Sequence, residues 1–63
     1  MSEAIVGINS EGKVRAVFAI DQPKDEKEAA KIAGEWLRMG RTVKRCAAKY
    51  AFEIAGEEWK EPK

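Results

Sequence analysis

The architecture of this chain is set by residues 4–20, which read AIVGINSEGKVRAVFAI. Two runs of aliphatic and β-branched residues, 4–8 and 14–20, lie on either side of a polar segment. Such runs around a short, glycine-containing segment are typical of a β-hairpin. We expect a three-residue loop over 10–12, in which Gly12 adopts the left-handed conformation that this type of loop needs.

The apolar pattern also predicts how the two strands pair, because a one-residue slip would exchange the two faces of a strand. The expected pairs are Ile8 with Val14, Val6 with Ala16, and Ala4 with Phe18. On the other face Ile5 then lies opposite Val17, and this face is less polar than a solvated face usually is. Three interpretations stay open: the C-terminal segment covers Ile5 and Val17, they remain exposed, or they form a dimer or partner interface.

An amphipathic helix is predicted over residues 25–39. Its apolar residues recur at helical spacing, and they are Ala29, Ile32, Ala33, Trp36 and Leu37. Asp25 and Glu28 have the spacing of a capping box, with Pro23 as an alternative first helical residue. Gly40 is a natural C-terminal stop. We expect the apolar side of this helix to pack on the hairpin face formed by Val6, Ile8, Val14 and Phe18.

The last third of the chain fits two architectures. Residues 41–46 fit a third antiparallel strand followed by a short helix near 47–55, which gives an α+β fold of order ββαβα. The same region carries an unbroken helical stripe, and a single long helix there would give the order ββαα. We favour the strand, because a two-stranded sheet alone is marginal in water. The polar tail, 57–63, is expected to fray unless Trp59 packs against the domain.

Size and composition restrict the chemistry that is open to this chain. It forms one domain, 1–63, and has no histidine and only one cysteine, Cys46, so a disulfide is impossible and a zinc site lacks ligands. A nucleophile would lack its usual base, and there is no glycine-rich phosphate loop. We therefore expect no enzymatic activity, catalytic residue, metal, cofactor or small-molecule substrate, and we interpret Cys46 as a small buried apolar residue.

The sequence also suggests a compartment. No apolar run approaches the roughly 18 residues of a membrane span, and the N-terminus lacks the basic start of a signal peptide. A free cysteine without an export signal fits the reducing cytosol. We expect a complete cytoplasmic chain that has no membrane partner.

The charges are distributed unevenly, although the formal net charge is only +1. Residues 38–49 contain five bases and no acid, and these bases are Arg38, Arg41, Lys44, Arg45 and Lys49. One interpretation is a contact that attracts an acidic protein partner. Another is a nucleic-acid contact, in which the bases neutralise phosphates and an aromatic ring stacks on a base. A third is that lysine and arginine protect an edge strand from unwanted pairing.

The aromatic residue of the tail, Trp59, has two interpretations. It packs back onto the domain, or it is an exposed anchor for a partner, since tryptophan is enriched in binding hot spots. The hairpin–helix–strand layout with a small basic segment is similar to that of short accessory proteins of phages and mobile elements, which commonly bind a host protein or a nucleic-acid complex. This resemblance is one of size and layout.

Together these features predict a small, non-enzymatic interaction module. The expected partner is another protein or a second copy of the chain, bound through the Ile5/Val17 face or through the basic segment with Trp59. The alternative is a nucleic-acid-binding accessory protein that uses the basic segment.

Overall fold

The computed structural model describes residues 2–62. Three strands and two helices follow one another in the order ββαβα, and they are β1 (Glu3–Ile8), β2 (Val14–Ile20), α1 (Asp25–Arg38), β3 (Thr42–Ala47) and α2 (Ala48–Glu53). The strands form one antiparallel sheet in the order β2-β1-β3. The predicted α+β fold with a third strand is therefore confirmed, and the single long helix is not formed. Within residues 2–62, no helix has the length and apolar content needed to cross a lipid bilayer.

The central strand, β1, is buried from Ala4 to Ile8 on both sides of the sheet. A strand that is covered on both faces needs apolar residues at every position, which is why residues 4–8 form a continuous apolar run. The sheet therefore has two interiors. We call its two sides the α1 face and the α2 face after the helices that cover them.

The α1 face is formed by Ile5 and Ile20 together with Ala29 of α1. Partly buried residues pack around them, and these are Phe18, Ile32, Ala33, Trp36 and Val43. The α2 face contains the buried residues Ala4, Val6, Ile8, Val14, Cys46, Ala48 and Ala51. The prediction that α1 packs on Val6, Ile8 and Val14 is therefore wrong, because those residues lie beneath α2, and of the predicted set only Phe18 contacts α1.

A β-bulge explains this difference. Ile8 pairs with Val14, as predicted, but the register shifts between Gly7 and Ile8, so that Gly7 pairs with Ala16 and Arg15 is the extra residue. One extra residue on one strand of an antiparallel pair changes which side chains oppose each other beyond it. The loop itself is as predicted, with Gly12 at φ 82°.

Beyond the bulge, Val17 lies opposite Val6 and Ile5 lies opposite Phe18. The predicted pairing of Ile5 with Val17 is therefore wrong. Ile5 is buried on the α1 face, whereas Val17 packs on the α2 face. These two residues do not share a surface, and the dimer face predicted from them does not exist in this fold.

The start of α1 differs from the predicted capping box. Residue Lys24 occupies the N-cap position without a side-chain hydrogen bond. The carboxylate of Asp25 instead accepts hydrogen bonds from the backbone N–H groups of Asp21 and Gln22, both at 3.0 Å. Asp25 therefore holds the turn that follows β2, and this turn sets the direction in which α1 leaves the sheet.

The end of α1 is a Schellman motif. The backbone N–H of Gly40 donates to the carbonyl of Leu37, and that of Arg41 donates to the carbonyl of Trp36. Gly40 has a φ of 86°, a left-handed conformation that glycine adopts without a steric cost. The predicted stop is confirmed.

The C-terminal tail packs against the start of β2. The N–H of Val14 donates to the carbonyl of Glu57 at 2.8 Å, and the N–H of Gly56 donates to the carbonyl of Val14 at 2.7 Å. The N–H of Trp59 donates to the carbonyl of Gly12. The tail over 57–63 was expected to fray unless Trp59 packs against the domain; Trp59 does pack, and residues 57–61 are held by these contacts, while Lys63 lies outside the described residues.

Candidate functional site

The five bases of the basic segment do not form one surface. Neighbouring residues of a strand project to opposite faces of a sheet, and Lys44 and Arg45 are neighbours in β3. Lys44 lies opposite Val6 and therefore projects to the α2 face, where its Nζ is 3.6 Å from Oε1 of Glu61. Arg45 lies opposite Ile5 and projects to the α1 face.

Arg45 joins three elements through its guanidinium group. Its Nε donates to Glu3 of β1 at 2.6 Å, and its Nη1 and Nη2 donate to both carboxylate oxygens of Glu26 of α1 at 3.0 and 2.7 Å. The hydrogen bonds to Glu26 and then to Glu3 raise the pKa of Arg45, and the same hydrogen bond from Arg45 lowers the pKa of Glu26. Both hydrogen-bonding edges of this side chain are occupied, so Arg45 is a structural clamp and does not offer a phosphate-binding fork.

The other three bases are distributed around the domain. Arg38 is the exposed last residue of α1, and Arg41 is half-buried after Gly40, on the α1 face beside Trp36. Lys49 is exposed on α2, in the opposite layer. The structure therefore distributes the five bases over both faces of the sheet, although the sequence places them within twelve residues.

The aromatic pair Tyr50 and Trp59 is used for packing. Their ring centroids are 6.0 Å apart with an interplanar angle of 80°, which is a T-shaped contact. The Tyr50 hydroxyl donates to the carbonyl of Lys60, and Nε1 of Trp59 donates to Glu61. Both rings pack on the α2-face interior. Trp59 is therefore a half-buried packing residue, as one of its two interpretations predicted, and not an exposed anchor.

The thiol of Cys46 is buried on the α2 face, at 7% exposure. Burial raises the pKa of Cys46, with a smaller contribution from the negative charge of Glu3. Both effects disfavour the thiolate, which is the reactive form of cysteine. Cys46 is thus a packing residue, as predicted. In the described part of the chain, no three acidic or thiol side chains converge as a metal site would require.

The outer edge of β2 is one of the two exposed edges of the sheet. The tail hydrogen bonds to Val14, but residues 16–20 make no backbone hydrogen bond outside the sheet to any of residues 2–62. These five residues are Ala16, Val17, Phe18, Ala19 and Ile20, and none of them is charged. By contrast, the other edge strand, β3, contains Lys44 and Arg45. Natural proteins commonly protect edge strands with such charges. We call residues 16–20 the β2 edge.

A shallow groove of about 300 Å³ lies beside the β2 edge on the α2 face. Its lining residues are Val14, Arg15, Ala16, Val17, Phe52, Ala55 and Gly56. Phe52 is 60% exposed, although a ring of this size would normally be buried. The apolar side chains of this groove therefore lie next to the outward-facing backbone N–H and C=O groups of the β2 edge.

Two other surface features offer a partner less than the β2 edge does. An open cavity of about 520 Å³ includes Glu3, Glu26 and Arg45 in its lining, but these charged groups already pair with one another. Leu37 and Met39 are exposed at the end of α1, at 60% and 64%. A helix has no strand edge, so this second apolar patch lacks the row of backbone N–H and C=O groups that the β2 edge offers.

Sequence reasoning named Val17 as part of a possible interface, but it joined Val17 with Ile5 and did not single out residues 16–20. The available signal was the absence of charge between Arg15 and Asp21 in a strand that turned out to lie at an edge. Comparison with protein-family models, curated proteins and solved structures found no match to this chain.

Proposed function

We propose that this chain is a non-enzymatic protein-interaction module that binds an extended segment of its partner along the β2 edge. The observation that carries this proposal is that residues 16–20 are uncharged and pair with β1 on one side only, so that the other side of the strand has no partner strand within residues 2–62. An edge strand presents a row of N–H and C=O groups, and a partner strand that adds to it gains main-chain hydrogen bonds.

The groove next to the β2 edge supports the same mode of binding. In strand addition, the backbone hydrogen bonds provide affinity and the pockets for alternate side chains provide specificity. Phe52 and Val17 are apolar residues that line the groove where such alternate side chains would lie. A partner segment rich in aliphatic residues matches this lining.

The remaining chemistry of the domain supports binding over catalysis. The thiol of Cys46 is buried, with a raised pKa, and the carboxylates of Glu3 and Glu26 form ion pairs with Arg45. A cytoplasmic location belongs to this proposal, because a free thiol is compatible with a reducing compartment. The nucleic-acid alternative is less well supported, since the five bases are spread over both faces of the sheet.

Blocking the β2 edge with a charge tests the proposal. Affinity-tagged wild type, Ala19→Lys and the matched control Ala30→Lys are each used to retain proteins from the source cells, including untagged copies of this chain. Ala19 is half-buried in the β2 edge, and Ala30 is exposed on α1. Circular dichroism first checks that each variant folds, and Ala16→Lys replaces Ala19→Lys if that variant does not.

We expect the wild type and Ala30→Lys to retain the same polypeptides and Ala19→Lys to lose them, because an inserted lysine on an edge strand disfavours strand addition. Identical sets from all three proteins would contradict binding at the β2 edge. Retention of nucleic acid by all three, with no polypeptide, would favour the alternative.

A further inference from the structure

We infer that the occupant of the β2 edge is a second copy of this chain, with the two β2 strands paired antiparallel about Phe18. This inference rests on the proposed function, because it uses the same edge. It adds the identity of the partner and the register of the pairing. The result is a six-stranded sheet that continues across the two copies.

The register follows from the sequence of β2. Pairing about Phe18 uses every residue of the β2 edge, and the pairs are Phe18 with Phe18 of the second copy, Val17 with Ala19, and Ala16 with Ile20. Residues that lie opposite each other in antiparallel strands project to the same face. In this register Phe18, Ala16 and Ile20 stay on the α1 face, and Val17 and Ala19 stay on the α2 face.

Neighbouring registers are less favourable. A shift by one residue would place Val17 opposite Phe18, and these two project from different faces of the sheet. Pairing about Val17 would place Val14 opposite Ile20, but the backbone of Val14 is already hydrogen-bonded to Gly56 and Glu57. Pairing about Ala19 would place the charge of Asp21 opposite Val17.

Charge complementarity is the observation that favours a second copy over an unrelated strand. Arg15 and Asp21 immediately flank the β2 edge, one at each end, and pairing about Phe18 places Arg15 of each copy next to Asp21 of the other. Both side chains are exposed, and within residues 2–62 neither takes part in an ion pair. The dimer thus gains two opposite-charge pairs at its two ends.

Arg15 follows Val14, the residue at which the tail is hydrogen-bonded to β2. It is the bulged residue of β2 and lines the groove beside Phe52. A domain of 63 residues without a disulfide also has a small interior, and oligomerisation is a common way for such domains to gain stability.

A charge-exchange experiment tests the pairing. Sedimentation equilibrium at low to high micromolar concentration compares wild type, Arg15→Asp, Asp21→Arg, an equimolar mixture of these two variants, and the control Arg38→Asp. Each single variant places like charges at both ends of its own homodimer. The mixed dimer places aspartate next to arginine at both ends.

We expect the wild type and Arg38→Asp to dimerise with equal affinity. The dissociation constant of each single variant should rise on the order of tenfold, because exposed charge pairs are modest in strength. The mixture should recover the wild-type constant. If circular dichroism shows that a single variant does not fold, the double variant Arg15→Asp/Asp21→Arg, which keeps the net charge, replaces it. The double variant should dimerise like wild type.

The possible failures are distinguishable. Ala19→Lys is measured beside the charge variants. In one outcome Ala19→Lys dissociates the dimer, but the mixture of the two charge variants does not recover the wild-type dissociation constant. That outcome would overturn the Phe18 register, while strand addition at the β2 edge would still hold. A wild type that stays monomeric, or a dimer that neither Ala19→Lys nor any charge change weakens, would overturn the second copy as the occupant of this edge. In the monomeric case, the retention experiment still decides whether another protein binds there.

Discussion

Replacing Gly7 with alanine tests how closely α1 packs on the sheet. A Cβ atom at residue 7 would lie 3.1 Å from both Cδ2 and Cε3 of Trp36 and 3.3 Å from Cδ of Arg41. Carbon atoms in favourable contact are about 3.5–4.0 Å apart, so the indole ring must move away from the strand. Overpacking of this kind costs about 1–3 kcal/mol. Alanine recovers about 0.4–1 kcal/mol through the lower entropy of the unfolded chain, which leaves a net loss of about 1 kcal/mol.

Gly34→Ala is the matched control, because it adds the same methyl group at a position in α1 where a Cβ would meet nothing within 4 Å. Alanine is favoured over glycine in a helix interior by about 0.5–1 kcal/mol. The two variants should therefore differ in the free energy of unfolding by roughly 2 kcal/mol, with opposite signs relative to wild type. In a domain of this size, that difference corresponds to about 10 °C in melting temperature.

The assay is thermal unfolding followed by circular dichroism, with urea unfolding as a second measure of the free energy. We expect Gly7→Ala to melt below wild type and Gly34→Ala to melt above it. If Gly7→Ala were as stable as Gly34→Ala, Trp36 would not pack on β1 at residue 7. The assignment of α1 to the face of Ile5 would then be wrong.

Three further predictions concern the clamp, the tail and the thiol. Because Arg45 lowers the pKa of Glu26, ionised Glu26 stabilises the fold near neutral pH, and this contribution is lost as the pH falls through the lowered pKa. The melting temperature of Glu26→Gln should therefore lie below that of wild type at neutral pH and approach it in acid. A difference in melting temperature that does not change with pH would contradict the Arg45–Glu26 ion pair. Trp59→Ala should lower the free energy of unfolding, measured in urea, by about 2 kcal/mol, since roughly half of a large ring loses its apolar contact. An unchanged urea midpoint would mean that the tail does not pack against the domain. Cys46 should react with iodoacetamide slowly in the native protein and rapidly in urea, and fast native labelling would show that the thiol is accessible.

Much of this fold follows from local sequence signals. The hairpin loop and the stop at Gly40 were predictable, because each depends on residues close together in the chain. The third strand, expected at 41–46 and found at Thr42–Ala47, was chosen over a long helix only because a two-stranded sheet alone is marginal. Gly12 and Gly40 have φ values of 82° and 86°, and glycine is the residue that tolerates these values most readily. The element order ββαβα follows from these assignments.

The face on which α1 packs was not predictable by the same means. The prediction assumed strict alternation along β2, and the bulge at Arg15 breaks it. A single sequence carries no clear signal for such a bulge. The continuous apolar run at 4–8 did carry a signal for burial on both faces, but the predicted pairing assumed that only one face was covered.

The candidate site also depends on contacts that are distant in sequence. Arg45 pairs with Glu3 and Glu26, and Lys44 pairs with Glu61. These acids lie far outside the basic segment, and only the folded chain shows that they neutralise part of it. The exposure of the β2 edge likewise depends on the strand order β2-β1-β3, which leaves β2 on the outside of the sheet.

The dimer that we infer joins two copies of this chain through the uncharged β2 edge. The most direct measurement is a dilution series of two-dimensional amide spectra on the isotopically labelled wild-type chain. We predict that the amide resonances of residues 15–21 and Phe52 shift with protein concentration, while those of Leu37 and Met39 at the end of α1 do not. Spectra independent of concentration, or shifts confined to the end of α1, would contradict self-association at the β2 edge.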